Sequence, residues 1–168
     1  MSQEPSKKTQ NNFSPFWLWE MFNNLFGFQS TINLYSPYVG AGIKVESIDA
    51  DFRSIVVSLT QTLLNTNYVG VHFGGSIYAM TDPFYMFILM KNLGEEYIVW
   101  DKAAEIQFLK PGTGTIRAKF EISKEQIEEI KQTVATTRKM DKIFEADIFD
   151  ETGKIIAHVK KTLYIRKK

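Results

Sequence analysis

The sequence contains no cysteine and only two histidines, His72 and His158. The first absence excludes a disulfide scaffold, a thiolate metal site and a cysteine nucleophile. The second argues against a histidine-rich metal centre, and no metal ligand set is expected. There is no excess of charge of either sign: 20 basic residues stand against 19 acidic ones. Nucleic-acid binding leaves a strong basic surplus, so it is not the expected activity. Long hydrophobic runs are also missing. The most apolar stretch, Gly75 to Lys91, would span about 25 Å as a helix and carries Asp82-Pro83 at its centre. A bilayer asks for roughly 20 uninterrupted apolar residues and a central Asp opposes insertion, so no membrane span is expected. The first dozen residues, Met1 to Asn12, have no apolar segment of the secretory kind and read as a disordered polar arm. A cytoplasmic location is the default expectation.

What is present in excess is aromatic: 13 Phe, 7 Tyr and 3 Trp, 14% of the chain. The length fits one domain, residues 13–168. Ser14 and Pro15 form a cap-plus-first-turn signature, and the segment after them predicts an aromatic helix ending at Gly27. Phe16, Trp17, Trp19, Phe22, Leu25 and Phe26 cover most of it. It is expected to pack on the domain or line an apolar ligand site. A membrane-surface role lacks the basic polar face such helices carry. Alternation then predicts a strand through Val39, Ala41, Ile43 and Val45, an Asp49-Ala50-Asp51 turn, and a second strand through Ile55, Val57 and Leu59.

Gly75 to Lys91 is apolar on nearly every face, so as a helix it must be surrounded by protein. Strands return after Gly94. The first places Trp100, Ala104, Ile106 and Phe108 on one face, with Asp101, Glu105 and Gln107 on the other; the next alternates Ile116, Ala118, Phe120 and Ile122. Ser123 with Gln126 fits a capping box at the head of a polar helix reaching Arg138. Two last strands, about Lys142 to Phe149 and Lys154 to Arg166, flank the Asp150–Gly153 turn. Hairpin strands with one polar face predict an antiparallel sheet. One all-round apolar helix predicts that the sheet curves about it.

A helix wrapped by a long antiparallel sheet resembles the hotdog fold, an α+β architecture of about six strands. The residues Asn67-Tyr-Val-Gly-Val-His72-Phe73-Gly74-Gly75-Ser-Ile-Tyr78-Ala-Met-Thr-Asp82 resemble the signature of hotdog acyl-CoA thioesterases of the phenylacetate-pathway type. That signature is an Asn, a His-Gly-Gly opening the central helix, and a carboxylate seven residues past the second Gly. The stretch GGSIYAMTDPFYM, with YIVWDKAAEIQFLKPGTG after it, is similar to an uncharacterised branch known as a domain of unknown function. The resemblance runs from about Gly40 to Lys168. Two positions depart from it. Phe73 stands where the family has histidine, with His72 one residue earlier, and Pro83 follows the carboxylate.

The resemblance implies hydrolysis of an acyl-CoA thioester at a homodimer interface, in a dimer or tetramer. Coenzyme A enters as part of the substrate and no other cofactor is implied. It places Asp82 as base or nucleophile, Gly74 and Gly75 as main-chain donors to the oxyanion, and Asn67 as the residue orienting carbonyl or water. His72, Phe73, Tyr78, Tyr85 and Met86 are the expected substrate-binding residues, with Met80, Phe84, Phe87 and Ile88 as further pocket or core positions. The partner for the CoA phosphates stays open among Lys110, Arg117, Lys119 and Arg138. The alternative function is a non-catalytic hotdog module that binds an acyl chain or scaffolds an assembly. His158 reads as a surface residue beside Lys160 and Lys161.

Overall fold

The computed structural model describes residues 17–168. The polar arm and the Ser14-Pro15 helix start lie outside the described residues. The elements run α1 (Trp17–Phe26), α2 (Phe28–Asn33), α3 (Ser36–Ala41), β1 (Ile43–Ile48), β2 (Ser54–Thr60), α4 (Gly74–Ala79), α5 (Phe84–Leu93), β3 (Tyr97–Phe108), β4 (Thr115–Glu121), α6 (Lys124–Thr137), β5 (Lys139–Phe149) and β6 (Ile155–Lys167). The six strands form one sheet in the order β1-β2-β4-β5-β6-β3, antiparallel throughout. Its inward residues, among them Val45, Val57, Leu59, Ile116, Phe120, Ile148, Val159 and Leu163, form one core with α4 and α5. An aromatic stack ties helix to sheet. Phe84 stacks on Phe120 at 5.2 Å, and Tyr85 packs between Phe120 and Phe144 at 5.2 and 4.9 Å. The sheet and buried helix are thus those the alternation and the apolar segment predict.

Three local expectations are corrected. Val39 and Ala41 belong to α3 and not to the first strand. Pro37 in its first turn favours a helix start, and Gly42, at φ +80°, ends it in the left-handed region. A Cβ on Gly42 would also meet Asn65 Nδ2 at 2.4 Å, so only glycine fits. The central helix is not continuous. It breaks between Ala79 and Phe84, where Pro83 has no N–H for the ladder and the Asp82–Pro83 bond is cis. Finally, the register of β3 against β6 shifts between Asp101 and Ala103. This bulge inserts one residue, so the alternation inverts across it. Asp101 pairs with buried Leu163 and faces inward, while Trp100, opposite Tyr164, faces outward.

The aromatic helix α1 stops before Gly27, which adopts φ +77°. It lies on the domain with no fully buried residue. Trp19 meets Tyr35 edge-on at 5.5 Å, whereas Met21, Leu25 and Phe26 are exposed. At the other end of the chain the predicted capping box is formed: Gln126 N–H donates to Ser123 Oγ at 3.2 Å, and Ser123 N–H to Gln126 Oε1 at 2.9 Å. Helix α6 then sets Ile127, Ile130 and Val134 into the core. No helix among the described residues is long and apolar enough to cross a membrane.

Candidate active site

The loop before α4 is organised by Asn67. Its Oδ1 accepts from the N–H groups of Val69 and Val71 at 3.0 and 3.2 Å, and its Nδ2 donates to the His72 carbonyl at 3.2 Å. Asn67 therefore shapes the entry to α4, a role that accounts for its side-chain hydrogen bonds. His72 is buried. Its Nε2 donates to the Gly114 carbonyl at 3.0 Å, which leaves Nδ1 as an acceptor with no partner. Burial holds its pKa below the usual histidine value, against the smaller opposing effect of that hydrogen bond. The imidazole is thus a neutral, packed group that pins the loop to the 112–114 turn.

Phe73 precedes α4 and is 58% exposed. Its ring lies over Gly75, where a Cβ would come within 2.3 Å of it. Gly74 faces Phe108, whose ring would stand 3.3 Å from a Cβ there. The N–H groups of Gly74 and Gly75 belong to the first turn and have no acceptor inside the helix. Two clefts flank this entry. One, about 500 Å³, is lined by Leu64, Asn67, Tyr68, Phe73 and Ser76 among others. The other, about 310 Å³, lies between His72, Gly74, Ile77, Phe108 and Lys110. Neither is lined by Asp82. Helix α4 runs six residues from Gly74 to Ala79, about 9 Å of rise, and Asp82 lies three residues beyond its end, so a single chain does not bring the glycines and Asp82 together around one bond.

At the Asp82 end, the break between α4 and α5 projects a carboxylate that is 49% exposed. Its Oδ1 accepts from Lys161 Nζ at 2.5 Å. The lysine comes from the inward row of β6 and is 1% exposed. Asp101 Oδ1 lies 3.3 Å from the same Nζ, within ion-pairing range but too oblique for a hydrogen bond, and it has no other partner. Burial raises the Asp101 carboxyl above its ordinary range. Lys161 opposes that rise and Asp82 adds to it. Burial by itself would lower the Lys161 ammonium, but Asp82 and Asp101 outweigh it and hold the group above its ordinary value. The Tyr78 ring lies 6.0 Å from Nζ. The hydroxyl of buried Tyr38 donates to the Asp82 main-chain carbonyl and so fixes the break from the α3 side. Burial, then the nearby Asp82 charge, pushes the Tyr38 phenol well above its usual value.

The structure thus gathers Asp82 and Tyr78 with two residues the sequence reading did not select. Lys161 had a visible signal: it occupies the inward period of Ala157, Val159, Leu163 and Ile165. A lysine at such a position needs a buried counter-ion. Asp101 was hidden by the bulge. Tyr85, expected to bind substrate, is buried in the core, and its hydroxyl donates to the Glu145 carbonyl at 2.6 Å; burial raises its phenol strongly. Met86 is half-buried against the core. His158 sits partly exposed, paired through Nδ1 with Asp147 at 2.7 Å. No group of three His, Asp or Glu side chains among the described residues is placed to hold a metal ion.

The fold recurs in solved structures. A Pseudomonas aeruginosa protein of unknown function, described as a probable thioesterase, superposes with a TM-score of 0.76 at 15% identity, covering 83% of this chain and 93% of its own. A thioesterase from Haemophilus influenzae gives 0.61 at 16% identity, with 83% and 91% covered. The Escherichia coli PaaI protein from the phenylacetic acid degradation operon gives 0.56 at 17%, with 83% and 88% covered. The architecture is therefore the hotdog fold of thioesterase-like proteins. No curated protein matches the sequence. A family model described as a domain of unknown function, DUF4442, matches residues 27–165, and the chain belongs to that family.

Proposed function

We propose that this chain hydrolyses acyl-CoA thioesters at an interface between two of its copies. The observation that carries the reading is Asp82: a half-exposed carboxylate at the break of an otherwise buried helix, seven residues past Gly75, with one oxygen held from inside by Lys161. Asp82 takes a proton from water, and the hydroxide adds to the thioester carbonyl. The oxyanion is met by the Gly74 and Gly75 N–H groups of the second copy, since the two ends of one α4 are too far apart to share a bond. Collapse breaks the carbon–sulfur bond, and the CoA thiolate takes the proton from Asp82. The thioesterases among the structural neighbours support the reading. Of the cations open for the CoA phosphates, Arg117 is forked onto Glu46 and Lys119 pairs with Glu121, whereas Lys110 lines the cleft beside Gly74. We choose Lys110. A CoA-ester substrate accords with a cytoplasmic location and a dimer or tetramer.

The test is hydrolysis of a chain-length panel of acyl-CoA esters by wild type and Asp82→Asn. Loss of a proton-accepting group lowers kcat by about 10²-fold or more. No turnover on any ester, or equal turnover by the variant, overturns the proposal. One observation favours a second reading, an acyl-binding module without turnover: the Phe73 ring lies over Gly75, where the carbonyl would approach. Native mass spectrometry showing acyl ligand retained by a chain that never hydrolyses it would select that reading.

A further inference from the structure

We infer that Lys161 and Asp101 are positioning residues for Asp82: the ammonium holds one oxygen of the working carboxylate, and Asp101 is the second counter-ion onto which that ammonium shifts when Asp82 takes a proton. The inference rests on the thioesterase reading and adds to it the group that tethers Asp82 and the group that takes over the tether when Asp82 is protonated.

Four observations support it. Lys161 is 1% exposed, so water cannot solvate its charge. A buried ammonium needs an anion at every stage, because an unpaired one is very costly. Asp82 alone cannot supply that, since as a base it becomes neutral during turnover. Asp101 can: its Oδ1 already lies 3.3 Å from Nζ and has no hydrogen-bond partner, so what a hydrogen bond from the ammonium lacks is alignment and not distance. The β3 bulge exists at the residue that turns this carboxylate inward. No proton leaves the lysine in this scheme; the ammonium changes hydrogen-bond partner, and the proton moves only from water to Asp82 and from Asp82 to the thiolate.

The groups facing Nζ are few. Asp82 comes from the α4–α5 break, Asp101 from β3 and the Tyr78 ring from α4; the Tyr38 hydroxyl reaches the Asp82 carbonyl from α3. The cross-strand neighbours of Lys161 are Ala104 on β3 and Phe144 on β5, neither charged. The two carboxylates reach one nitrogen, so they stand within about 6 Å of each other, close enough for the Asp82 charge to raise the Asp101 carboxyl.

The experiment pairs pH–rate profiles with carboxyl ¹³C NMR. Asp101→Asn removes the standby anion and a repelling charge, so the acid limb of kcat/KM moves to lower pH by about one unit. The same change lowers kcat by up to about tenfold, with KM within about twofold. Lys161→Met moves the limb the other way. Lys161→Arg keeps the charge and leaves the limb near wild type, which separates a positioning role from a folding defect. A limb unmoved in Asp101→Asn, or moving the same way in Asp101→Asn and Lys161→Met, overturns the inference. Absence of turnover in wild type would remove the thioesterase reading. The NMR arm then decides whether the three groups are coupled: the Asp101 titration falls in Asp82→Asn and rises in Lys161→Met, and an unmoved midpoint overturns the inference independently of activity.

Discussion

The buried charge cluster makes an asymmetric prediction about stability. Lys161→Met and the double variant Asp82→Asn/Asp101→Asn remove the same ion pairs from opposite sides. The double variant leaves the ammonium in place at 1% exposure with no counter-ion. Stranding a buried charge costs about 3–5 kcal/mol. For a chain of this length that lowers Tm by roughly 6–20 °C. Lys161→Met leaves carboxylates behind, but Asp82 is 49% exposed and stays solvated, and Asp101 is already biased by burial toward its neutral form. Methionine also fills the lysine stem's volume in an apolar row, so the loss is about 0–2 kcal/mol at pH 7.

The pH trends of these variants oppose one another. In wild type Asp101 titrates above its unfolded value, so the folded chain binds more protons there, and this group's contribution declines as pH rises through its folded value. Lys161→Met removes the cation that opposed that rise, so the decline steepens and its gap to wild type widens as pH rises above the ordinary carboxylate range. In the double variant the unpaired ammonium binds its proton less tightly folded than unfolded, so stability improves as pH rises toward the lysine range. Wild-type Lys161, raised above 10.5, contributes fully below that value and loses its contribution only as pH passes through the higher folded value. Urea unfolding followed by tryptophan fluorescence, compared at constant m, reads all of this. A Lys161→Met chain as unstable as the double variant at pH 7, or the same pH trend in both, would refute the reasoning.

Other positions give simpler outcomes. Tyr85→Phe removes the hydroxyl's bond to the Glu145 carbonyl but keeps the ring stack, so stability falls by about 1 kcal/mol with KM unchanged; a raised KM at unchanged stability would return Tyr85 to the substrate. Burial lowers the His72 pKa, so the unfolded chain binds the extra proton and stability drops as pH falls below the ordinary value of 6.5. His72→Gln should flatten that drop in urea midpoints between about pH 7 and 5, and equal slopes would contradict it. Ser123→Ala removes the Oγ acceptor of the Gln126 N–H, leaving the bond from the Ser123 main-chain N–H to Gln126 Oε1, and costs about 1 kcal/mol by thermal unfolding, without effect on kcat.

Which parts of this molecule could be read in advance follows from the range over which each rule acts. The alternation through Ile116–Ile122 and the capping box at Ser123 are local, and both appear as the pattern predicts. So does the apolar segment after Gly75, because a helix without a polar face has nowhere to go but inside. The misreadings share a different cause. Val39 and Ala41 alternate like a strand, but Pro37 and Gly42 bracket them as a short helix, and those turn preferences outweighed four residues of period two. The period through Trp100–Phe108 assumes that no residue is inserted, and the bulge at Asp101 violates that assumption.

The same bulge explains why the spacing motif pointed to Asp82 and stopped there. Asp82, Asp101 and Lys161 come from a helix break, an edge strand and the final strand, and no local rule relates them. What the sequence does carry is a conflict: Lys161 falls in the inward period of β6, and Pro83 falls inside the most apolar segment, Gly75 to Lys91. Each is unfavourable alone, as a buried cation and as a lost ladder bond. Together they resolve each other, since the break at Pro83 exposes the Asp82 carboxylate that neutralises the lysine. Local rules that fail in pairs, and whose failures meet in space, mark a place where the fold gives up regularity for a polar arrangement. The meeting of those two exceptions, more than the glycine pair at the other end of α4, singles out the Asp82 end as the place to look for chemistry.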